Sequence, residues 1–153
     1  MKVLYFHQYF TNPEGSGGTR SYFFARELIQ NGHKVKMICL NDVRSITGLN
    51  SQFQNGKRSG IVDGIEVIEF DIKYSNNKNL FERSIIFLKY SFMGTCLALN
   101  SNADIIFASS TPLTAGIPGI VAKIFKGTTF IFEVRDLWPL LPKASGIIKN
   151  PII

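Results

Sequence analysis

The sequence predicts an α/β fold, a Rossmann-like parallel sheet with helices on both faces. Short runs rich in Val, Ile, Leu and Phe alternate with segments of helical periodicity. Strand–helix–strand order gives parallel strands joined by crossovers. Apolar residues make up 45% of the 153 residues and charged residues 18%, which is enough apolar surface for one packed domain.

The first two elements are a strand and a helix. Lys2–His7 (KVLYFH) predicts a buried strand because apolar residues run through most of it. A helix is predicted from Thr19 to Asn31, with Thr19 as its cap and Gly32 at its end. The side chains predicted to line its buried side are Phe23, Ala25, Leu28 and Ile29.

Two further strands flank a polar stretch. Lys34–Leu40 begins with alternating residues and becomes apolar, which predicts a second strand. Residues 41–60 are rich in Gly, Asn and Ser without periodicity, so we predict a long loop. Ile65–Phe70 alternates apolar and acidic residues, which is typical of an edge or half-exposed strand.

The longest predicted helix runs from Asn79 to Asn100. Apolar residues recur in it at spacings of three and four: Phe81, Ile85, Leu88, Phe92, Cys96 and Leu99. A second stripe consists of Ile86, Met93 and Leu97. A helix that is apolar over much of its surface is usually buried, which predicts a place between the sheet and another element. The alternative is a face that contacts a membrane.

The second half continues the alternation. Asp104–Ala108 is predicted as a buried strand, Leu113–Lys126 as a helix that ends at Gly127, and Thr129–Glu133 as a fifth strand. The last twenty residues contain three prolines and no complete element. A doubly wound domain normally continues with more elements, so we expect a truncated chain or one half of a larger protein.

Charge is unevenly distributed. The net charge is +6, and residues 1–59 hold eight basic and three acidic side chains. This balance suits phosphorylated ligands, an anionic membrane face or nucleic acid. Nucleic acid is the least favoured partner because the basic residues are scattered and no binding motif is present.

The two cysteines, Cys39 and Cys96, lie in apolar runs and are predicted to be reduced and buried. The histidines and cysteines do not cluster, so no metal site is predicted. The sequence shows neither a signal peptide nor an uncharged apolar stretch of about 18 residues. We therefore expect a cytoplasmic protein.

Three loops that carry several polar, charged or glycine residues, here called the decorated loops, follow predicted strands, at the edge where parallel sheets bind ligands. They are residues 7–18, 109–114 and 134–139. The first ends in Gly15-Ser16-Gly17-Gly18 and runs into a helix, an arrangement that favours a phosphate. The dinucleotide pattern G-x-G-x-x-G would need glycine where Arg20 stands, and the alternative is a flexible turn.

Five side chains in or next to these loops are candidates for chemistry. His7 would hydrogen-bond a substrate hydroxyl, act as a base, or be purely structural. Glu133 and Arg135 face the same side of an extended chain and would pair, or Arg135 would clamp a phosphate or carboxylate. Asp136 would bind a sugar hydroxyl or orient its neighbour, and Trp138 would form a flat wall against a sugar ring or fill the core.

Three runs together make the sequence recognisable: HQYFTNPEGSGGTRSYFFARELIQNGHKV, STPLTAGIPG and FIFEVRDLWP. They resemble the amino-terminal domain of a glycosyltransferase of the family 4-like, GT-B class. The similarity is to bacterial enzymes of capsule, O-antigen and colanic-acid synthesis, in the fucosaminyltransferase-type branch. It extends in order from residue 1 to about residue 150.

The resemblance implies roles for particular residues. Gly17, Gly18 and Arg20 would contact the phosphates of the donor, and the glycine N–H groups would stabilise charge on the leaving phosphate. Ser110 and Thr111 would lie on the cleft wall. Many relatives have His-Asp where this chain has Arg135 and Asp136; arginine cannot act as a base near neutral pH, so Arg135 would position or stabilise charge.

The resemblance also implies a reaction and its partners. A sugar would pass, with retention and without metal or other cofactor, from a nucleotide-sugar to a lipid-linked saccharide such as an undecaprenyl-diphosphate sugar. A carboxy-terminal domain, supplied in cis or in trans, would hold the donor, so these residues alone are expected to lack transfer activity. Peripheral contact with the cytoplasmic face of the inner membrane would fit the apolar 79–100 helix.

Two other functions remain open from the residues. Asp42, after the second strand, stands where an NAD-dependent enzyme has its ribose-binding acid. A non-enzymatic binding module, or a split subunit that completes a site with a partner chain, would account for the abrupt ending.

Overall fold

A computed structural model describes residues 1–43, 45–75, 77–110 and 112–135. Within them the chain forms β1 (Lys2–Phe6), α1 (Arg20–Gln30), β2 (Lys34–Asp42), β3 (Lys57–Val62), β4 (Ile65–Tyr74), α2 (Leu80–Leu99), β5 (Ile105–Ser109), α3 (Ile117–Lys126) and β6 (Thr129–Glu133). A 3-10 turn, Leu113–Gly116, precedes α3.

The strands form one six-stranded sheet in the order β3-β4-β2-β1-β5-β6. Every neighbouring pair is parallel except β3 and β4, which are antiparallel. The predicted Rossmann-like α/β fold is therefore confirmed. β1 lies at the centre, between β2 and β5, so the loop after β1 begins in the middle of the carboxyl edge.

The alternation of side chains along the strands builds two cores, one on each face of the sheet. On one face Tyr5 and Met37 pack with Tyr22 and Ala25 of α1. On the other face the strands pack against α2 and α3, through residues that include Phe6, Ile38, Ile86, Tyr90 and Ala122. Helices on both faces were predicted and are confirmed.

The predicted loop over residues 41–60 is partly wrong. β2 extends to Asp42, and residues 57–60 belong to β3, which pairs with β4 in a hairpin. The hairpin turns at Asp63 and Gly64, both with positive φ, +50° and +84°. An Asp-Gly pair suits this two-residue turn. Because β3 takes the edge position, the prediction of Ile65–Phe70 as an edge strand is wrong as well.

The predicted helix at Thr19–Asn31 is confirmed in place and type. Thr19 occupies the N-cap position without a side-chain hydrogen bond, and Gly32 follows the helix with a φ of +79°. The buried residues of α1 are Ser21, Tyr22 and Ala25. Phe23, predicted to be buried, is 59% exposed, because α1 turns Ser21 and Tyr22 toward the sheet instead.

The predicted helix at 79–100 is confirmed as α2. Asn79 and Glu82 form a reciprocal capping box at its start. The predicted position between the sheet and another element is not seen within the described residues, because one side of α2 packs on the sheet and α3 while Phe81, Ile85, Leu88 and Phe92 are exposed. Cys39 is buried as predicted, whereas Cys96 is exposed on the outward side of α2.

Among the described residues, no helix combines the length and apolar character needed to cross a membrane. The predictions for Thr111, Asp136, Trp138 and the rest of residues 136–153 lie outside the described part of the chain.

Candidate functional site

The three decorated loops meet at the carboxyl edge of the sheet. The backbone N–H of Arg135, after β6, donates to the Ser110 hydroxyl, after β5, over 2.7 Å. The Arg135 guanidinium reaches the end of β1, where Nη1 lies 3.2 Å from Nε2 of His7. Three of the predicted site residues are thus joined, because parallel strands β1, β5 and β6 end side by side.

His7 is 2% exposed, and both of its ring nitrogens have partners. Nδ1 lies 2.7 Å from the Ser21 hydroxyl, in the first turn of α1. Arginine can only donate, so Nε2 accepts from Arg135 and Nδ1 carries the proton. Burial, followed by the charge of Arg135, lowers the pKa of His7 to about 4. His7 is therefore a neutral imidazole near pH 7.

This arrangement fits the structural interpretation of His7, and the roles toward a substrate stay predictions. It is a satisfied, buried histidine that fixes the start of α1 against the end of β1. Its unprotonated Nε2 lies against the exposed Arg135. The same contact sets the orientation of the Arg135 side chain.

Glu133 pairs with Arg20 rather than with Arg135. The Arg20 guanidinium, in the first turn of α1, forms an ion pair with one Glu133 oxygen, and the Ser109 hydroxyl bonds the other. Tyr5 continues the chain of hydrogen bonds, with its hydroxyl 3.1 Å from Ser109 Oγ. Burial raises the pKa of Tyr5 to about 12, so its hydroxyl stays protonated. The predicted Glu133–Arg135 pair is wrong, because Arg20 compensates the carboxylate from across the sheet edge.

The three glycines of the first loop have different surroundings. A Cβ on Gly15 would collide with the Thr11 hydroxyl, and a Cβ on Gly17 would lie 3.0 Å from Thr11 Cγ2. At Gly18 the nearest atom would be Nη2 of Arg135, at 3.8 Å. Gly15 is therefore required by packing, whereas an added Cβ at Gly18 would meet only the end of the Arg135 side chain, at ordinary contact distance. This is the geometry expected of a position that a ligand approaches.

The two arginines at this edge differ in their partners. Arg20 is compensated by Glu133, whereas no described carboxylate pairs with Arg135, which is exposed. Arg135 presents donor nitrogens beside Gly18 and beside the start of α1, where backbone N–H groups lack helical partners. The chemistry that fits these donors is an anion with several oxygens, such as a phosphate or diphosphate.

Four residues at this edge were not identified from the sequence: Tyr5, Gln8, Ser21 and Ser109. Tyr5, Ser21 and Ser109 contact predicted residues, but a serine or a strand tyrosine has no distinctive sequence pattern. Gln8 is fully buried, and within the described structure neither atom of its side-chain amide has a hydrogen-bond partner. A buried amide without hydrogen bonds lowers the stability of the fold, which makes Gln8 an unusual residue for a strand end.

A separate concavity of about 830 Å³ lies at the opposite, amino-terminal edge of the sheet. Its lining includes Lys2, Lys34 and Lys36, and Lys36 is paired with Glu66 over 2.9 Å. The loops predicted to bind ligands are not part of this lining. The described residues contain no group of His, Cys, Asp and Glu side chains that could hold a metal.

A comparison of the chain with protein-family models found no match, and a comparison with curated proteins found none either.

Proposed function

We propose that this chain is the acceptor-side domain of a retaining glycosyltransferase that uses a nucleotide-sugar. The acceptor would be a lipid-linked or polysaccharide saccharide of a bacterial surface polymer. The observation that supports the proposal is that His7, Ser110 and Arg135 are joined by hydrogen bonds, with Arg135 in contact distance of Gly18. A resemblance over three runs and a matching Rossmann-like fold add to it.

Each group has a role that its chemistry permits. Arg135 binds an oxygen of the donor diphosphate and stabilises the charge that develops as the sugar leaves. The backbone of Gly17 and Gly18 lies close enough to the edge to approach the same phosphates. When Arg135 turns to the diphosphate, Nε2 of neutral His7 accepts a hydrogen bond from a saccharide hydroxyl and orients it.

The ion pair of Arg20 with Glu133 has an indirect role in the proposed site. It neutralises the Glu133 carboxylate, so that repulsion between this carboxylate and a bound phosphate is reduced. We therefore assign Arg20 as a positioning residue rather than a direct phosphate ligand. Thr111, Asp136 and Trp138 remain predictions from the sequence for the cleft wall, the sugar hydroxyls and the sugar ring.

The test is a titration of the isotope-labelled chain with uridine diphosphate and a panel of uridine-diphosphate sugars, followed by NMR. We expect the amide resonances of Gly17, Gly18 and Arg135 to shift, together with the ring resonances of His7. Arg135→Gln should weaken binding about tenfold, because it removes a charge-assisted bidentate donor. Arg26→Gln is the matched control, since Arg26 lies on α1 but bonds the Asp63 carbonyl away from this edge.

Two results would contradict the proposal. One is the absence of any diphosphate-dependent shift at Gly17, Gly18 and His7. The other is equal weakening by Arg135→Gln and Arg26→Gln, which would make the binding unspecific.

The same titration with NAD tests the other enzymatic function. Asp42 does lie at the end of β2, but it is only 3% exposed, which leaves little of it accessible to a ribose. We expect no shift with NAD. A binding module without catalysis would instead bind saccharide with no response to the diphosphate.

A further inference from the structure

Three turns of the chain place a glycine directly after an asparagine or an aspartate. They are Asn31-Gly32 after α1, Asn55-Gly56 before β3, and Asp63-Gly64 between β3 and β4. In such a pair the glycine nitrogen can attack the side-chain carbonyl carbon of the preceding residue, because glycine has no side chain that hinders the approach. All three pairs are exposed, so exposure alone does not distinguish them.

Asn55 and Gly56 form a two-residue turn with a left-handed backbone. Their φ angles are +50° and +76°, a conformation that suits an Asn-Gly pair in a hairpin. Gln54 and Lys57 close the turn by exchanging backbone hydrogen bonds of 2.8 and 3.1 Å. Within the described part of the chain, neither the Asn55 side-chain amide nor the Gly56 N–H has a hydrogen-bond partner. A Cβ added to Gly56 would meet no atom within 4 Å, so the two reacting groups are unhindered.

The Asn31-Gly32 pair is held by the end of α1. The Asn31 amide nitrogen donates to the backbone carbonyl and to a carboxylate oxygen of Glu27, each over 2.9 Å. The Gly32 N–H, which would supply the attacking nitrogen, donates to the Ile29 carbonyl over 2.9 Å. Attack at Asn31 would require these hydrogen bonds to break, which slows it.

The Asp63-Gly64 pair is also held by contacts with α1. The Tyr22 hydroxyl donates to Oδ2 of Asp63 over 2.7 Å, and the Arg26 guanidinium bonds the Asp63 carbonyl. A carboxylate is in addition a poorer electrophile than an amide. Two of the three pairs are thus restrained, and Asn55-Gly56 is the one that can react.

We propose that the fold directs spontaneous deamidation to Asn55 and protects Asn31. The Gly56 nitrogen attacks Cγ of Asn55, so that an N–Cγ bond forms and the Cγ–Nδ2 bond breaks. Ammonia leaves with the proton that Gly56 loses, exchanged through solvent. Water then opens the five-membered imide at either of its carbonyl carbons and gives aspartate or isoaspartate. No co-reactant other than water is needed.

The two products change the start of β3 differently. Aspartate keeps the length of the backbone and adds one negative charge next to Lys57. Isoaspartate adds a methylene to the main chain, so a two-residue turn can no longer keep both hydrogen bonds between Gln54 and Lys57. Arg58, the next residue, donates to buried Glu69 over 3.0 and 3.1 Å. Isoaspartate is therefore expected to loosen the first residues of β3 from β4.

The experiment is incubation of the folded chain in mildly alkaline buffer, followed by trypsin digestion and mass spectrometry. The tryptic peptides 27–34 and 45–57 each contain one Asn-Gly pair, and fragmentation distinguishes Asn55 from Asn50 in the second. We expect peptide 45–57 to gain about 1 Da at a rate at least about fivefold higher than peptide 27–34, because hydrogen bonds protect Asn31. Methylation by an isoaspartate-specific methyltransferase identifies the isoaspartate product.

The same incubation in guanidinium chloride is the matched control. In the unfolded chain neither Asn-Gly pair has tertiary contacts, so the two rates should differ by less than about twofold. Asn55→Gln should abolish the fast mass change and leave peptide 27–34 unaffected, since glutamine would have to close a larger ring. Asn55→Asp adds the charge without lengthening the backbone, and it should lower Tm less than the isoaspartate form, separated by ion exchange, does. Circular dichroism establishes that each variant is folded.

Three outcomes would overturn the proposal. The first is a rate ratio below about fivefold between peptides 45–57 and 27–34 in the folded chain. The second is the same ratio in guanidinium chloride, which would make the difference a property of the sequence alone. The third is a mass gain in peptide 45–57 that fragmentation places at Asn50. An isoaspartate form with unchanged Tm would instead refute only the loosening of β3.

Discussion

The helix on one face of the sheet and the two helices on the other differ in what their polar and apolar residues do. In α1, Ser21 bonds His7 and Arg20 pairs with Glu133, so this helix contributes directly to the candidate site. In α2, buried polar groups donate to backbone carbonyls, as Tyr90 does to the Ile38 carbonyl over 2.8 Å. The outward side of α2, by contrast, is apolar.

The comparison teaches that apolar residues in a helix do not all serve the core. The inner side of α2 already covers the sheet, so the outward residues add nothing to folding unless something covers them. In α1, the polar residues Arg20 and Ser21 contact the edge of the sheet. The two layers therefore serve one sheet in different ways, and three predictions test this distinction.

The largest expected effect separates the two sides of α2. Ile85 and Ile86 are adjacent, but Ile86 is 9% exposed and Ile85 is 49% exposed. Ile86→Ala should lower the free energy of unfolding by about 2–4 kcal/mol, because it leaves a cavity in the core. Ile85→Ala should change it by less than about 1 kcal/mol, since alanine also favours the helix. Urea denaturation measures both, and equal losses would mean that the outward side is covered in solution.

The second prediction concerns the buried histidine on the α1 side. The folded-state pKa of His7 is about 4, below the unfolded value of about 6.5. Between these values the unfolded chain binds more protons, so the free energy of unfolding should fall as the pH falls through this window. The loss attributable to His7 should reach about 3 kcal/mol at pH 4.

Denaturation at several pH values checks this dependence against two variants. His7→Gln should flatten the slope between pH 6.5 and pH 4, even if its stability at pH 7 is lower. His33→Gln removes the other histidine, near the opposite edge of the sheet, and serves as the control. An unchanged slope in His7→Gln would show that His7 is not the group responsible.

The smallest expected effect on stability distinguishes two glycines in the loop before α1. Gly15→Ala should lower the free energy of unfolding by about 1–3 kcal/mol, because its Cβ would collide with Thr11 and lie 3.0 Å from the Ile46 nitrogen. Gly18→Ala should change stability by less than about 0.5 kcal/mol. It should nevertheless weaken diphosphate binding in the NMR titration. Retained binding in Gly18→Ala would argue against close approach of the ligand at this position.

Much of the fold was predictable because hydrophobic periodicity reports local structure. The continuous apolar run of β1 and the three- and four-residue spacing in α2 identified their elements to within about one residue. The β3 strand was missed because KRSGIV lacks such periodicity, although the Asp63-Gly64 pair beside it is a hairpin signature. Because β3 pairs with β4 and occupies the edge of the sheet, β4 is an inner strand.

The candidate site was predictable only in part. The loops after β1, β5 and β6 were identified because parallel strands present their carboxyl ends together. The partner of Glu133 was not, since Arg20 is 113 residues away in the sequence and reaches it only through the packing of α1 on the sheet. Ser21 and Tyr5 were missed for the same reason.

The sequence by itself determined the alternation of most strands and helices and the loops that hold the polar residues. These properties depend on residues that are close along the chain. The tertiary structure decided which charge compensates Glu133, which nitrogen of His7 faces Arg135, and which apolar residues of α2 remain exposed. Those outcomes depend on distances and burial created only when β1, β5, β6 and the helices come together.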